Sequence, residues 1–138
     1  MRATPFLMFQ DAKAEEAMRF YVSLFDDGEI VDIKRYGPEG PGAEGTIFKA
    51  AFRVAGLDVF CIDSPVKHQF EFTPSFSFFI DCKTEAEIDK LIAAIGAGGI
   101  TLMPPGDYGF SRKFAWLSDR FGVSWQLNLP SGLRQAMT

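Results

Sequence analysis

Residues 14–30 read AEEAMRFYVSLFDDGEI, and residues 87–99 read EIDKLIAAIGAGG. Both stretches carry apolar residues at the 3.6-residue spacing of a helix that packs on one side, and both run into glycine. When the first half of the chain is moved by 70 positions, its core and helix-ending residues coincide with those of the second half: Met18 with Ile88, Tyr21 with Leu91, and Gly28 with Gly98. The agreement predicts an internal duplication.

Short apolar runs flank the two helical stretches in the same order. They predict strands at residues 5–9, 29–36, 46–54 and 57–63, and again at 75–81, 100–103, 112–118 and 123–129. The helices are predicted at residues 13–25, with Asp11 as the N-cap, and at residues 83–95. The sequence therefore predicts an α+β fold of two tandem βαβββ modules.

The length of 138 residues is typical of one compact domain. We expect a first module at about residues 1–66, a second at about 74–130, and a C-terminal tail at 131–138. Fifteen Phe, three Tyr and two Trp can fill a core or line a pocket.

Charge and hydropathy exclude several partners. The net charge is −4 and the 14 basic residues are scattered, so we expect no nucleic acid partner. No apolar run approaches the roughly 20 residues of a membrane span, so no membrane is expected. The first 16 residues turn acidic too early for a signal peptide. Cys61 and Cys82 lie in apolar runs without CxxC spacing, which predicts buried thiols and a cytoplasmic protein.

Four phrases resemble the PhnB-like branch of the vicinal-oxygen-chelate (glyoxalase/bleomycin-resistance/dioxygenase) superfamily, also called 3-demethylubiquinone-9 3-methyltransferase-like. They are AEEAMRFYVSLFDDGEI (14–30), FEFTPSFSFFIDC (70–82), EIDKLIAAIGAGG (87–99) and WLSDRFGVSWQLNLP (116–130). The resemblance covers nearly the whole chain. It implies a curved mixed sheet built by the two modules around a cleft, a homodimer, and a small molecule in the cleft.

The methyltransferase name implies S-adenosylmethionine, for which the sequence offers no site. Such a cofactor needs a glycine-rich turn that leads from a strand into a helix. Here GAGG (96–99) follows a predicted helix, and the glycine-rich loop at 37–45 leads into a predicted strand. We therefore doubt the methyltransferase activity and expect no cofactor.

The resemblance also implies four metal ligands, from the first and last strand of each module. Carried over by position, they fall at Phe6, at Phe60, at Gln126, and at either Phe76 or Ser77. The internal repeat favours Phe76 and the spacing from the last strand favours Ser77, and a slip of one residue reverses the face. Because phenylalanine cannot bind a metal, we expect no divalent ion.

The last strand alternates clearly. Val123, Trp125 and Leu127 are expected under a helix, so that Ser124, Gln126 and Asn128 point into the cleft. Gln126 must then bond either a ligand or a nearby side chain. Read as a four-residue turn, 119–122 would place Ala115 and Lys113 beside Gln126 and Asn128. The predicted cleft is lined by Phe6, Phe60, Phe76, Ser77, Gln126 and Asn128.

Catalytic candidates are weak. Gln126, Asp63 and Lys113 are the residues named for catalysis, although a solvated strand end is the expected setting of Asp63 and a solvent-facing side chain that of Lys113. The single histidine, His68, is expected to be a solvated or locally bonded loop residue. Cys61 and Cys82 lie in apolar runs and are expected to be inert.

Three functions follow as hypotheses. The first is a metal-free module that binds a small molecule in an aromatic-lined cleft. The second is a lyase- or isomerase-type enzyme that acts on a small organic substrate. The third is a structural or interaction domain that has lost its activity.

Overall fold

The computed structural model describes residues 1–131 and confirms the βαβββ order in both halves. The first half contains β1 (Phe6–Phe9), α1 (Ala14–Ser23), β2 (Glu29–Arg35), β3 (Ile47–Val54) and β4 (Leu57–Asp63). The second half contains β5 (Ser77–Asp81), α2 (Glu85–Gly96), β6 (Ile100–Gly106), β7 (Lys113–Ser118) and β8 (Ser124–Leu129). Of the predicted tail, residues 132–138 lie outside the described residues.

The chain divides into two compact units, Met1–Gln69 and a second unit that begins at Phe70, and each unit holds one module. Each unit has its own four-stranded mixed sheet, in the order β1-β4-β3-β2 or β5-β8-β7-β6. The first strand of each module pairs parallel to the last, and the other pairs are antiparallel. The α+β class with two tandem βαβββ modules is thereby confirmed.

One helix packs on each sheet because its apolar residues recur at helical spacing. On α1, Met18 and Tyr21 are fully buried, and the Tyr21 ring lies 6.2 Å from the ring of Phe52 on β3. On α2, the buried residues are Ile88, Leu91 and Ile95. Within residues 1–131, no helix combines the length and the apolar character that crossing a bilayer requires.

The start of α1 is held by a residue that is distant in sequence. Asp11, the predicted N-cap, instead has a φ of 58° and forms an ion pair with Lys67. The two carboxylate oxygens of Asp63, at the end of β4, accept the N–H groups of Ala14 and Ile47, each at 2.8 Å. Asp63 is only 4% exposed, so the expectation of a solvated strand end is wrong. Two backbone donors replace the water that a buried carboxylate loses.

The start of α2 is held locally. The Glu87 N–H donates to Thr84 Oγ1 at 3.1 Å, and the Lys83 N–H donates to Glu87 Oε1 at 2.7 Å. This arrangement resembles a capping box, except that Glu87 reaches the N–H of the residue before the N-cap. After the helix, Gly99 approaches β7 so closely that an added Cβ would lie 2.1 Å from the carbonyl oxygen of Ser118. The GAGG stretch thus ends the helix, as predicted, and allows this approach.

Strand β6 runs further than predicted. The sequence predicts a strand at 100–103, but β6 continues to Gly106. Its pairing with β7 is irregular on both sides of Met103. Pro104 and Pro105 lie in this part. Proline has no N–H to donate to a neighbouring strand, so it is tolerated at an edge strand such as β6, which has a neighbour on one side only.

Candidate functional site on the second sheet

Each sheet has one face against its own helix and one face turned away from it, called here the far face. Side chains alternate between the two faces along a strand. On β8, the buried residues Trp125 and Leu127 lie on the helix side together with Val123 just before the strand, and the prediction of Trp125 as a core residue is confirmed. The far face of β8 therefore carries a row of polar residues, the β8 polar row: Ser124, Gln126 and Asn128.

Gln126 stands at the centre of the β8 polar row, between aromatic residues of both neighbouring strands. Its register partners are Phe79 on β5 and Trp116 on β7. Phe79 is 49% exposed, and both Gln126 and Trp116 are half-buried. Among residues 1–131, none forms a hydrogen bond with the Gln126 amide. Gln126 thus presents an unused donor and an unused acceptor between two aromatic side chains.

The strand register corrects the predicted position of Lys113. The turn between β7 and β8 has five residues, 119–123, instead of four, so that Ala115 and Lys113 do not lie beside the β8 polar row. A slip of one residue moves a side chain to the other face of the sheet. Lys113 Nζ lies 2.6 Å from Asp89 Oδ1 on α2, and this contact raises the pKa of Lys113. The prediction that Lys113 joins Gln126 is therefore wrong.

The alternative between Phe76 and Ser77 is decided by β5. Ser77 pairs in register with Ser124 and shares the far face with Gln126. Phe76 precedes the strand and is 63% exposed. Its ring lies 6.1 Å from the ring of the buried helix-side residue Phe78. Of the two candidates, Ser77 therefore belongs to the same surface as Gln126.

Neither Phe76 nor Ser77, the two alternatives for the position equivalent to Phe6, holds that place in the strand register. In the first unit Phe6 pairs with Phe60, and the position that corresponds to it in the second unit is Phe79, which pairs with Gln126. Phe6 lies eight residues before the first residue of α1, whereas Phe79 lies six residues before the first residue of α2. The connection between strand and helix is thus shorter in the second module, so that one offset cannot align both elements.

A hydrogen-bonded chain fixes one end of the β8 polar row. The Trp116 Nε1–H donates to Ser124 Oγ at 2.9 Å, and the hydroxyl oxygens of Ser124 and Ser77 lie 2.6 Å apart. Ser124 is 1% exposed, so its hydroxyl bonds to Trp116 and Ser77 and not to water. The chain holds the Trp116 indole beside Gln126.

Asn128, at the other end of the row, is buried but only half satisfied. Its Nδ2 group donates to Asp81 Oδ1 at 2.8 Å. A carboxylate only accepts hydrogen bonds, so this contact fixes which end of the amide is which. Asn128 Oδ1 is buried and receives no hydrogen bond from residues 1–131. An unpaired buried acceptor costs about 1–3 kcal/mol, so this position calls for a donor that the described chain does not supply.

Three aromatic rings contact the ring of Phe114, and the four together form the aromatic cluster: Phe79, Tyr108, Phe110 and Phe114. Phe114 is the register partner of Asn128 and is 3% exposed. Its ring centroid lies 4.9 Å from that of Phe110, 6.1 Å from that of Tyr108 and 6.5 Å from that of Phe79. The three outer rings are each between 42% and 49% exposed, so the cluster offers apolar surface to a ligand.

The far face of the first unit has a different character. Phe6 and Phe60 are register partners, and their rings meet edge to face at 5.8 Å. Lys49 Nζ lies 4.3 Å from the centroid of the Phe60 ring, a cation–π contact. Phe6 is 52% exposed. The surface around Phe60 is therefore apolar with a cation beside it, whereas the far face of the second unit is aromatic and polar.

Other reactive groups serve the fold. Asp63 lies on the helix side of its sheet, where both of its oxygens hold backbone N–H groups. Burial raises the pKa of Cys61 to about 12 and that of Cys82 to about 11, which confirms the expectation of unreactive core thiols. His68 Nε2 lies 3.0 Å from Ser64 Oγ, and the His68 N–H donates to Gln10 Oε1, so the predicted locally bonded loop histidine is confirmed.

The residues at the implied ligand positions do not fit the superfamily's divalent metal. Phe6, Phe60 and Phe79 have no donor atom, the alternative Ser77 is hydrogen-bonded to Ser124, and Gln126 alone supplies an amide. In the described part of the chain, no group of three or more His, Cys, Asp or Glu side chains is placed to hold an ion. Metal sites of this kind need several nitrogen, sulfur or carboxylate ligands.

Sequence reasoning missed Phe79, Trp116 and the aromatic loop residues Tyr108 and Phe110. Phe79 could have been found from the alternation of β5, in which it shares a face with Ser77 opposite the buried Phe78. Trp116 depends on the length of the β7–β8 turn. No pattern in the sequence indicates that the rings of the loop at 107–112 fold back onto Phe114.

Comparisons with known proteins add the family. The family described as 3-demethylubiquinone-9 3-methyltransferase matches residues 1–128. The chain is 53% identical to the PhnB protein from Bacillus cereus, over 94% of this chain and 99% of that one, with a TM-score of 0.89. No match was found among curated proteins.

Two more distant structures support the fold alone. A protein from Pseudomonas aeruginosa is 24% identical over 94% of this chain and 98% of its own, with a TM-score of 0.80. A glyoxylase/bleomycin resistance protein/dioxygenase domain from Frankia is 14% identical over 95% and 98% of the two chains, with a TM-score of 0.65. These findings show that the chain belongs to the PhnB-like, or 3-demethylubiquinone-9 3-methyltransferase, family, and that its duplicated βαβββ fold is shared with the glyoxylase/bleomycin resistance protein/dioxygenase domain.

Proposed function

We propose that the protein binds a small organic molecule on the far face of its second sheet, without a metal ion. The observation that carries the proposal is the pair of unused polar groups in the β8 polar row. The amide of Gln126 and the Oδ1 atom of Asn128 have no partner among residues 1–131; Gln126 lies beside the exposed Phe79, and Asn128 lies beside Phe114 of the aromatic cluster. A few polar groups set among aromatic side chains are typical of small-molecule sites. Phe6 and Phe60, the other predicted ligand contacts, belong to the first unit and are not part of this proposal.

Binding is favoured over the two other hypotheses by specific contacts. The charged residues predicted for catalysis do not serve this site, because Asp63 holds backbone donors in the first unit and Lys113 is paired with Asp89. The amide of Gln126 neither gives nor takes a proton at neutral pH. A domain without a ligand would gain nothing from leaving Asn128 Oδ1 unpaired, since each such group lowers stability.

The test is a thermal-shift screen of the protein after treatment with EDTA. The samples receive either small aromatic compounds or Mn²⁺, Fe²⁺, Co²⁺, Ni²⁺ and Zn²⁺. A compound that binds the folded state adds about 2.7 kcal/mol of stability at 100 times its Kd, which raises the unfolding midpoint measurably. We expect compounds to raise the midpoint and the ions to leave it unchanged.

Two variants test whether the stabilisation by a compound depends on the Gln126 amide. Gln126→Leu keeps the size of the side chain and removes its hydrogen bonds, so the stabilisation by an active compound should fall sharply. Gln69→Leu makes the same change at an exposed position and should leave the stabilisation intact. A midpoint raised by one of the ions, or an undiminished response of Gln126→Leu, would contradict the proposal.

We propose further that the protein is a cytoplasmic homodimer. Each sheet ends in two edge strands, β1 and β2 or β5 and β6, whose outer sides pair with no other described strand. Exposed edges are commonly covered in native proteins. Light scattering should give about twice the chain mass of 15.3 kDa at micromolar concentration, and a monomer would contradict the proposal. Two free, buried thiols suit a reducing cytoplasm.

A further inference from the structure

We propose that the ligand of this site is an organic cation, an apolar or planar body that carries an ammonium or amidinium group. The inference rests on the proposed function and specifies the class of molecule. Three oxygen-bearing side chains carry it: Asp81, Gln126 and Asn128. They lie on adjacent positions of β5 and β8, next to Phe79.

Asp81 brings a carboxylate without a counter-charge. It ends β5 and is exposed, and Asn128 Nδ2 donates to its Oδ1 atom. Within residues 1–131, no lysine, arginine or histidine forms an ion pair with it. The carboxylate therefore has one neutral donor and further acceptor sites available on the far face.

The rest of this far face holds no positive charge that could receive an anion. Among the described strand residues of the second unit that lie on it, Asp81 is the one charged side chain. The neighbouring cations point elsewhere: Lys113 is paired with Asp89 and Arg112 with Glu85, both on α2. Complementarity of charge therefore favours a cationic ligand over an anionic one.

The two side-chain amide oxygens beside Asp81 also favour a ligand group that only donates hydrogen bonds. Asn128 Oδ1 is an acceptor with its orientation fixed, and Gln126 Oε1 is a second acceptor two residues away on the same strand. An ammonium group carries three N–H donors and no acceptor, which matches a carboxylate flanked by two carbonyl oxygens. Hydrogen bonds between charged groups are also the stronger ones.

The aromatic cluster completes the match. Cations are attracted to the faces of aromatic rings, and the outer rings of the cluster are exposed. Because Asn128 Oδ1 is buried, a donor reaches it only when a covering group moves. Tyr108 and Phe110 lie in the loop at 107–112, where ring contacts and the bond from Tyr108 Oη to the carbonyl oxygen of Pro104 hold them. Both rings contact Phe114, the register partner of Asn128, so the movement on binding is proposed for this loop.

The experiment compares three probes of equal size: benzamidinium, benzamide and benzoate. Each is titrated into ¹⁵N-labelled protein, and binding is followed by the side-chain amide signals of Gln126 and Asn128 and the backbone signals of the loop at 107–112. We expect benzamidinium to bind about tenfold more tightly than benzamide, because its N–H groups are charged, and benzoate to bind most weakly.

Two charge-neutralising variants provide the matched control. Asp81→Asn keeps an acceptor for Asn128 Nδ2 and should weaken benzamidinium about tenfold while leaving benzamide unchanged. Asp89→Asn removes the same charge on the helix side and should alter the affinity for benzamidinium little. Asn128→Leu should abolish the preference for benzamidinium without lowering the unfolding midpoint, since it removes an unsatisfied buried oxygen.

The outcomes separate this inference from the proposed function. If benzamide or benzoate binds as tightly as benzamidinium at the same residues, the site binds small molecules but the cation assignment is wrong. The assignment is also wrong if Asp81→Asn loses no more affinity than Asp89→Asn. If neither these probes nor the thermal-shift compounds bind, both proposals fail.

Discussion

The two modules share one fold and differ in what they present on the far face. At the paired positions of the first and last strands, the first module has Phe6 and Phe60 and the second has Phe79 and Gln126. Lys49 covers the Phe60 ring in the first module, whereas Asp81 supplies the charge in the second. The repeated pattern of core residues therefore sets the architecture of both modules, while the residues on the far face differ in polarity and charge.

A second contrast concerns the start of each helix. The N–H of the first residue of α1 is held by Asp63, 49 residues away, whereas α2 is capped by Thr84 and Glu87 in its own first turn. Asp63 also holds the start of β3. The first module therefore depends on a tertiary contact where the second depends on a local one.

Loss of the Asp63 contacts should lower the unfolding free energy more than loss of the N-cap of α2. Asp63→Ala leaves the N–H groups of Ala14 and Ile47 buried without a partner and should cost about 2–5 kcal/mol of unfolding free energy. Thr84→Ala should cost about 1 kcal/mol, the usual loss for an N-cap. Urea denaturation measures both values.

A conservative variant keeps this prediction testable if Asp63→Ala does not fold. Asp63→Asn retains one acceptor oxygen and should fall between the wild type and Asp63→Ala. The account of the first helix is contradicted if Asp63→Asn and Asp63→Ala cost no more than Thr84→Ala.

A smaller effect concerns the ion pairs at the start of each helix. Hydrogen bonds from Arg35 and then Arg19 lower the pKa of Glu15 from its usual 4.5 to about 2. A lowered pKa stabilises the folded state above pH 4.5, and the contribution is lost as the pH falls toward 2. Because these side chains are partly exposed, we expect less than about 1 kcal/mol.

The measurement is the unfolding free energy of the wild type and of Glu15→Gln between pH 7 and pH 3. The difference between the two proteins should shrink as the pH falls. Glu85→Gln, which removes a partner of a single arginine in the second module, provides the control and should show a weaker pH dependence. An unchanged difference for Glu15→Gln across this range would speak against the two-arginine network.

The sequence allows the architecture to be predicted because periodicity reports burial. The duplication, the order of elements and the buried Trp125 all follow from alternating or helical patterns. The strand register is harder to predict, because one additional residue in a turn shifts the pairing of the whole strand. The five-residue turn at 119–123 placed Trp116 beside Gln126 and sent Lys113 to the helix side.

Long-range polar contacts could not be predicted from local patterns. Asp63 closes a strand in the sequence and looks like a solvated end, but in the fold it meets the N–H groups of a helix and a strand. In the same way, the rings of Tyr108 and Phe110 reach Phe114 only through the path of an irregular loop. The Asp63 hydrogen bonds and the ring contacts of Phe114 both depend on tertiary packing, which the periodicity of a sequence does not report.

The central claim is that a small organic molecule binds the far face of the second sheet. The chain has two tryptophans, and both lie in this unit: Trp116 beside Gln126 on the far face, and Trp125 in the core with its Nε1–H donating to Asp119. The most direct measurement is therefore the pair of indole ¹⁵N–¹H signals during titration with a compound from the thermal-shift screen. The account predicts that the Trp116 signal moves and the Trp125 signal stays; an unmoved Trp116 signal at saturating compound would contradict it.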